Sequence, residues 1–317
     1  MKMNFRPANL LLLVILFESC AVDTTIDTSA ELSVIVLGVA QDGGYPQAGC
    51  EKACCKLYFA GQHKSEKVVA LGIVDRKSNK VWVIEATPDF GEQWRAVKDY
   101  AKIPNLTKPD GIFLTHAHIG HYTGLMQLGH EAMGAKDVPV YVMPRMKKFL
   151  SEHGPWSQLV DFNNIQLQEM KDDSVIHLTR NISITPFLVP HRDEYSETVG
   201  YRINSENTSL LFIPDINKWE KWDRDIVSEV SKVDHAIVDA SFYKDGEIPG
   251  RDMSEILHPF IEETMKLFLM AEKVQKEKVI FIHLNHTNPA LWDSKTRKDI
   301  TSSGFKIAAE GDIIPLN

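Results

Sequence analysis

Three histidines in six positions constrain this chain more than any other feature. His116, His118 and His121 follow directly on an apolar run at residues 111–115 and lead into a segment, Tyr122-Thr-Gly-Leu-Met-Gln-Leu, with a helical period. The whole chain has twelve histidines in 317 residues, so such a density is not compositional accident. Residues two apart on an extended segment project to the same side. His116 and His118 can therefore address one ion, while His121, at the start of the next turn, can reach a second. Neutral imidazole suits Zn2+, and Fe or Mn are also compatible with it. The competing reading, core histidines bonded to carbonyls, accounts poorly for three of them together at the end of a strand.

Further ligands are expected wherever other buried strands end. Val189-Pro190-His191 closes one apolar run, and the run 210–214 ends in the carboxylate of Asp215. The run 279–282 ends in His283, followed by His286. Singly each is weak, because an Asp after a strand is usually a helix N-cap. Their common position after a strand strengthens all of them together.

Short apolar or β-branched runs at 33–39, 68–74, 80–85, 111–115, 138–143, 182–189, 209–213, 235–238 and 278–283 read as strands. Helical spacing appears at 90–102, 122–133, 144–152, 216–233 and 253–275. This alternation, without internal repeat or linker, points to one α/β domain over residues 32–317, with strands inside and helices outside. Lys2 and Arg6 precede an apolar run at 10–17 that is too short to span a bilayer, which needs about 20 residues. A basic start, a short apolar stretch and Ser19-Cys20 read as a signal peptide over 1–19. Cys20 resembles a bacterial lipoprotein processing site; a plain secretory signal or a buried first helix are the alternatives. Residues 20–31 then form a tether. The expected location is the periplasm or cell envelope, with the membrane touched only through a lipid on Cys20.

The formal net charge of −8 disfavours a sequence-independent nucleic-acid binder, which needs a basic face. A small-molecule substrate is the expected partner. Four cysteines are too few for a disulfide scaffold.

The chain resembles the metallo-β-lactamase superfamily, whose signature is H-x-H-x-D-H after a strand, then a distal His, an Asp and a last His. Within it the chain is most similar to the branch of coenzyme PQQ synthesis protein B and phosphoribosyl cyclic phosphodiesterase. The stretches that carry the likeness are Val36-Leu-Gly-Val-Ala-Gln-Asp-Gly-Gly-Tyr-Pro-Gln47, Ile84-Glu-Ala-Thr-Pro-Asp89, Thr115-His-Ala-His-Ile-Gly-His-Tyr-Thr-Gly-Leu125 and His283-Leu-Asn-His-Thr-Asn-Pro289. The resemblance implies an αββα sandwich of two mixed sheets, with the site at one edge between them. It implies that His116, His118 and His191 hold a first metal, and that His121, His286 and a bridging Asp215 hold a second. His283 and Glu85 would orient ligands from behind. His258 matches the position of a catalytic His in phosphodiesterase relatives and is the expected proton donor, working beside Asp215.

Two departures stand out. Gly120 occupies the place of the usual Asp, so two dications would face a single bridging carboxylate. The second is expected to bind weakly unless Asp42 or another acid reaches in. Relatives also carry a C-x-C-x-x-C run holding a structural zinc. Here Cys50 and Cys55 match it, Lys52 replaces the middle cysteine and Cys54 is extra. Three thiolates need a fourth ligand, and a disulfide plus one free thiol is the alternative.

A metal on three histidines keeps an open position and lowers the pKa of bound water from 15.7 towards about 7. The expected function is metal-dependent hydrolysis of an ester, lactone, amide or phosphodiester of a small molecule, with one or two Zn2+ at the site. Two alternatives are an iron-dependent oxidoreductase related to PQQ cofactor biosynthesis and a non-catalytic surface protein that binds metal or ligand.

Overall fold

The structure, a computed structural model, describes residues 30–316. The expected signal peptide, Cys20 and all but the last two residues of the tether lie outside the described residues.

Two seven-stranded sheets face each other. The first runs in the order β14 (Ile313–Pro315), β1 (Leu32–Gly38), β2 (Ala70–Asp75), β3 (Lys80–Ile84), β4 (Gly111–Phe113), β5 (Val138–Val142), β6 (Ile165–Glu169). The second runs β13 (Lys306–Ile307), β12 (Val279–Ile282), β11 (His235–Asp239), β10 (Ser209–Ile213), β9 (Val199–Asn204), β8 (Ser183–Leu188), β7 (Ile176–His177). Strand alternation sorts the side chains into layers. Val34 and Val36 of β1, with Leu210 and Phe212 of β10, fill the space between the sheets. Ile35 and Leu37 turn outward under α2 (Phe90–Ala101) and α4 (Pro144–Glu152), meeting Phe90, Val97 and Met146. Leu211 and Ile213 turn outward on the other side, toward α6 (Ile226–Ser231), α7 (Ile261–Leu267) and α9 (Ser294–Ser302). Helix, sheet, sheet, helix is thus the layer order.

Strand direction places the site. β3, β4, β5 and β6 run parallel, as do β10, β11, β12 and β13. Two antiparallel steps bring β1 into line with β3, and β8 into line with β10. All these strands end at the same rim, and loops leaving carboxyl ends are where open α/β sheets bind ligands.

The strand runs expected at 33–39, 80–85 and 209–213 lie where β1, β3 and β10 form, but long helices expected at 216–233 and 253–275 break up. The first has only a 3-10 turn at Trp219–Lys221 before α6. The second opens with a 3-10 turn at Met253–Glu255, then passes through His258 and Pro259, and α7 starts only after Phe260, whose N–H donates to Glu263 (2.8 Å). The residue before a proline disfavours helical backbone, so Pro259 excludes His258 from any helix. Trp219 and Trp222 are buried, their ring N–H groups donating to Thr264 Oγ1 and the Leu188 carbonyl.

Candidate metal centre

His116 and His118 follow β4, His191 follows β8, and Asp215 follows β10, so three loops from both sheets deliver one group of ligand atoms. His118 Nδ1 lies 2.9 Å from His116 Nε2 and 3.1 Å from His191 Nε2. Asp215 Oδ2 lies 3.2 Å from His116 Nε2 and 3.2 Å from His191 Nε2.

The outer nitrogens explain why these contacts are not hydrogen bonds. Thr115 Oγ1 donates to Glu85, so it must accept the Nδ1 proton of His116, at 2.8 Å. That leaves a lone pair on Nε2. His118 Nε2 faces Glu194 Oε2 at 3.0 Å and donates to it, leaving a lone pair on Nδ1. Two lone pairs at 2.9 Å repel, and a cation between them relieves the repulsion. Tetrahedral Zn–N bonds of 2.0–2.1 Å put ligand nitrogens about 3.3 Å apart, close to the spacing seen. Burial, with His121 beside it, holds His116 well below the ordinary imidazole range, in the neutral state a ligand needs.

A second group adjoins the first through Asp215: Asp42, His121 and His283. Asp42 Oδ1 is 3.0 Å from His121 Nε2 and 3.5 Å from His283 Nε2. The Asp215 carboxylate lies 3.8 and 3.9 Å from the same two nitrogens. Ser241 Oγ donates to Asp239 Oδ1 and accepts from His283 Nδ1 at 2.8 Å, so His283 Nε2 also turns a lone pair inward. His283 Nε2 and Asp215 Oδ1 are buried with no hydrogen-bond partner. Buried polar atoms without partners are costly; His283 Nε2 faces the Asp42 and Asp215 carboxylates, where a cation would fill the gap, and Asp215 Oδ1 faces His258. Glu85 Oε1 stands 3.3 Å behind His121 Nδ1. Both Glu85 (φ +77°) and His283 (φ +64°) hold left-handed backbone, which is strained for a non-glycine residue and recurs at functional sites.

His286 does not reach this centre. It lies three residues beyond His283, past a turn held by Thr287 N–H donating to Asn285 Oδ1 (3.1 Å), and it groups with Cys50, Cys54 and Cys55. Its ring supplies a fourth donor beside the three thiols, while His283, expected to stand behind a ligand, reaches the inner group. All three cysteines are free thiols, with Cys54 and Cys55 buried in the first turn of α1 (Ala53–Phe59). Burial, with Lys52 nearby, keeps His286 down at about 4 and so neutral.

His258 arrives from the segment before α7. Its Nδ1 donates to Asp239 Oδ2 at 2.9 Å and lies 3.2 Å from Asp215 Oδ1. Burial disfavours its charged form, yet Asp239 and then Asp215 outweigh burial and raise it to about 10. Asp239, at the end of β11, is a residue that sequence reasoning missed. The only signal was another acid closing an apolar strand.

The comparisons with known proteins come to the same fold. Residues 82–284 match the Beta-lactamase superfamily domain family. Coenzyme PQQ synthesis protein B of Klebsiella pneumoniae (strain 342) is 26% identical, over 89% of this chain and 97% of the relative. Zn2+-bound PqqB from Methylobacterium extorquens superposes with a TM-score of 0.70 at 20% identity, covering 89% of this chain and 99% of that one. A diphosphatase of the PhnP family reaches 0.62 at 20% identity, covering 89% and 96%. The likenesses to solved structures carry the fold alone. The family match and the paired sheets together show that this chain belongs to the beta-lactamase superfamily domain family and has the metallo-β-lactamase fold.

Proposed function

We propose that the protein is a metal-dependent hydrolase of an ester, lactone, amide or phosphodiester bond in a small molecule. The carrying observation is the set of inward lone pairs on His116, His118 and His283 around Asp215, with His121 and His191 beside them and a proton-bearing His258 at their edge. Imidazole and carboxylate donors suit Zn2+, and the Zn2+-bound neighbour supports that choice. His116, His118, His191 and Asp215 would hold one cation; Asp42, His121, His283 and Asp215 the other. Cys50, Cys54, Cys55 and His286 would hold a structural third. When bound, the cations of the His/Asp centre supply Lewis acidity and draw the pKa of a water down towards neutrality.

The chain's own residues do the rest. Thr115, Glu194 and Ser241 fix His116, His118 and His283 in the tautomer that points a lone pair inward, and Glu85 stands behind His121. Asp239 holds His258 by Nδ1 and stabilises its imidazolium form, so Nε2 is the edge that gives a proton to the departing oxygen or nitrogen. His258→Ala should therefore lower kcat by about 10²–10⁴-fold, the usual range for a general acid, with metal content unchanged. Equal losses of metal and activity would give His258 a structural role instead. Glu85→Gln should cost about 10–100-fold in metal affinity, as loss of a ligand-orienting partner does, read by zinc titration.

The same donors accept iron, and the curated relative spans nearly the whole chain, which favours one other reading: oxidation chemistry related to PQQ biosynthesis. Oxygen uptake by an iron-reconstituted protein tests it. Zinc-supported cleavage under nitrogen, across a panel of aryl ester, lactone, amide and bis(p-nitrophenyl) phosphate, tests the hydrolase.

A further inference from the structure

We infer that the carboxylate for the cation beside His121 and His283 is delivered by Asp42, from the loop after β1, and that residue 120 is glycine because Asp42 fills its side-chain space. This rests on the reading that the His/Asp centre holds two cations. Gly120 lies in the short helix α3 (Ile119–Tyr122), and its φ is not in the left-handed region, so the backbone does not call for glycine. Space does. A Cβ on Gly120 would sit 2.4 Å from Asp42 Cα, 2.7 Å from its Cβ and 2.9 Å from its Cγ, and these are the three nearest atoms. Backbone atoms cannot give way as a flexible side-chain tip can. A side chain at residue 120 would thus collide with the backbone as well as the side chain of Asp42, so in this arrangement the carboxylate comes from residue 42 and not from residue 120.

The loop carrying Asp42 is fixed against the loop carrying His283. Gln41 N–H donates to the Leu284 carbonyl at 2.9 Å, and Leu284 N–H donates back to Val39 at 2.8 Å. Asn285 Nδ2 donates to Gln41 Oε1. Asp42 and His283 therefore arrive together as one rigid pair. With Asp42 present, two carboxylates rather than one face the two cations, which removes the expected weakness of the second.

The test counts zinc and measures its affinity in the full-length protein by elemental analysis and calorimetric titration. The wild type should hold two zinc ions in the His/Asp centre besides one at the cysteines. Asp42→Asn, of equal size without the charge, should lose one of the two or bind it at least 100-fold more weakly. Gly120→Asp alone should also lose it through the clash. Gly120→Ala, which adds only the clashing Cβ and no new donor, should weaken binding of the same zinc while leaving the one held by His116, His118 and His191 in place. Asp42→Asn with both zinc ions at wild-type affinity overturns this inference alone. A wild type with zinc only at the cysteines overturns the two-cation reading and this inference with it.

Discussion

Replacing His116 with alanine should empty the first cation position and abolish hydrolysis in a single step. His116 contributes a fully enclosed imidazole donor there: its Nδ1 is held by Thr115, and its Nε2 is within 3.2 Å of both His118 Nδ1 and Asp215 Oδ2. Loss of a mere orienting partner costs about 10–100-fold in metal affinity or activity. Loss of the ligand itself should exceed that, so a fall of more than about 100-fold in both zinc content and turnover is expected. Assay and elemental analysis on the same preparation check it. A variant without zinc at this position but with full turnover would refute the assignment. Thr115→Val should act in the same direction but less strongly, because it removes only the acceptor that fixes the tautomer.

The second large effect should be on stability. Cys54 and Cys55 are buried at the start of α1, Cys50 precedes them on the loop that follows Asp42, and His286 lies three residues after His283. A cation on these four ligands ties together the two loops that deliver Asp42 and His283. Structural zinc contributes folding free energy outright, and burial, helped by the neighbouring Cys50 and Cys54, pushes the Cys55 thiol up to about 12, so without a cation it stays a buried neutral thiol. Cys55→Ser should lose one zinc and lower Tm on the order of 10 °C, a few kcal/mol at about 2–4 °C per kcal/mol. Zinc affinity at the Asp42 and His283 end should fall as well, since the two loops lose their common anchor. Unchanged Tm and zinc content, measured by calorimetry and elemental analysis, would show that the cluster holds no cation.

How much of this could be read from the residues follows from what each signal was made of. His116, His191 and Asp215 were legible because each lies within three residues of the end of an apolar strand, with His118 two residues beyond His116, and strands that share a direction end at one rim. His283 obeys the same rule, as the first residue after β12, whereas His286 lies four residues past it, beyond a turn. Ligand counting also separates them: three cysteines lacked a partner while the histidine pair had one to spare. Asp42 and Asp239 gave almost no signal, since one acid in a turn and one at a strand end are ordinary. Only the space above Gly120 and the partners of His258 reveal their part. The long helix expected over 253–275 failed at Pro259, where apolar spacing continued but the backbone could not. The break is what frees His258 to reach Asp239.

The account stands or falls on the dependence of hydrolysis on the cations. The direct measurement strips the protein with a chelator, returns zinc stepwise under nitrogen, and follows cleavage of the ester, lactone, amide and phosphodiester panel. The account predicts no turnover in the stripped protein and turnover that rises as the His/Asp centre fills. Full zinc uptake without cleavage of any of these bonds, or cleavage unchanged by the chelator, would contradict it.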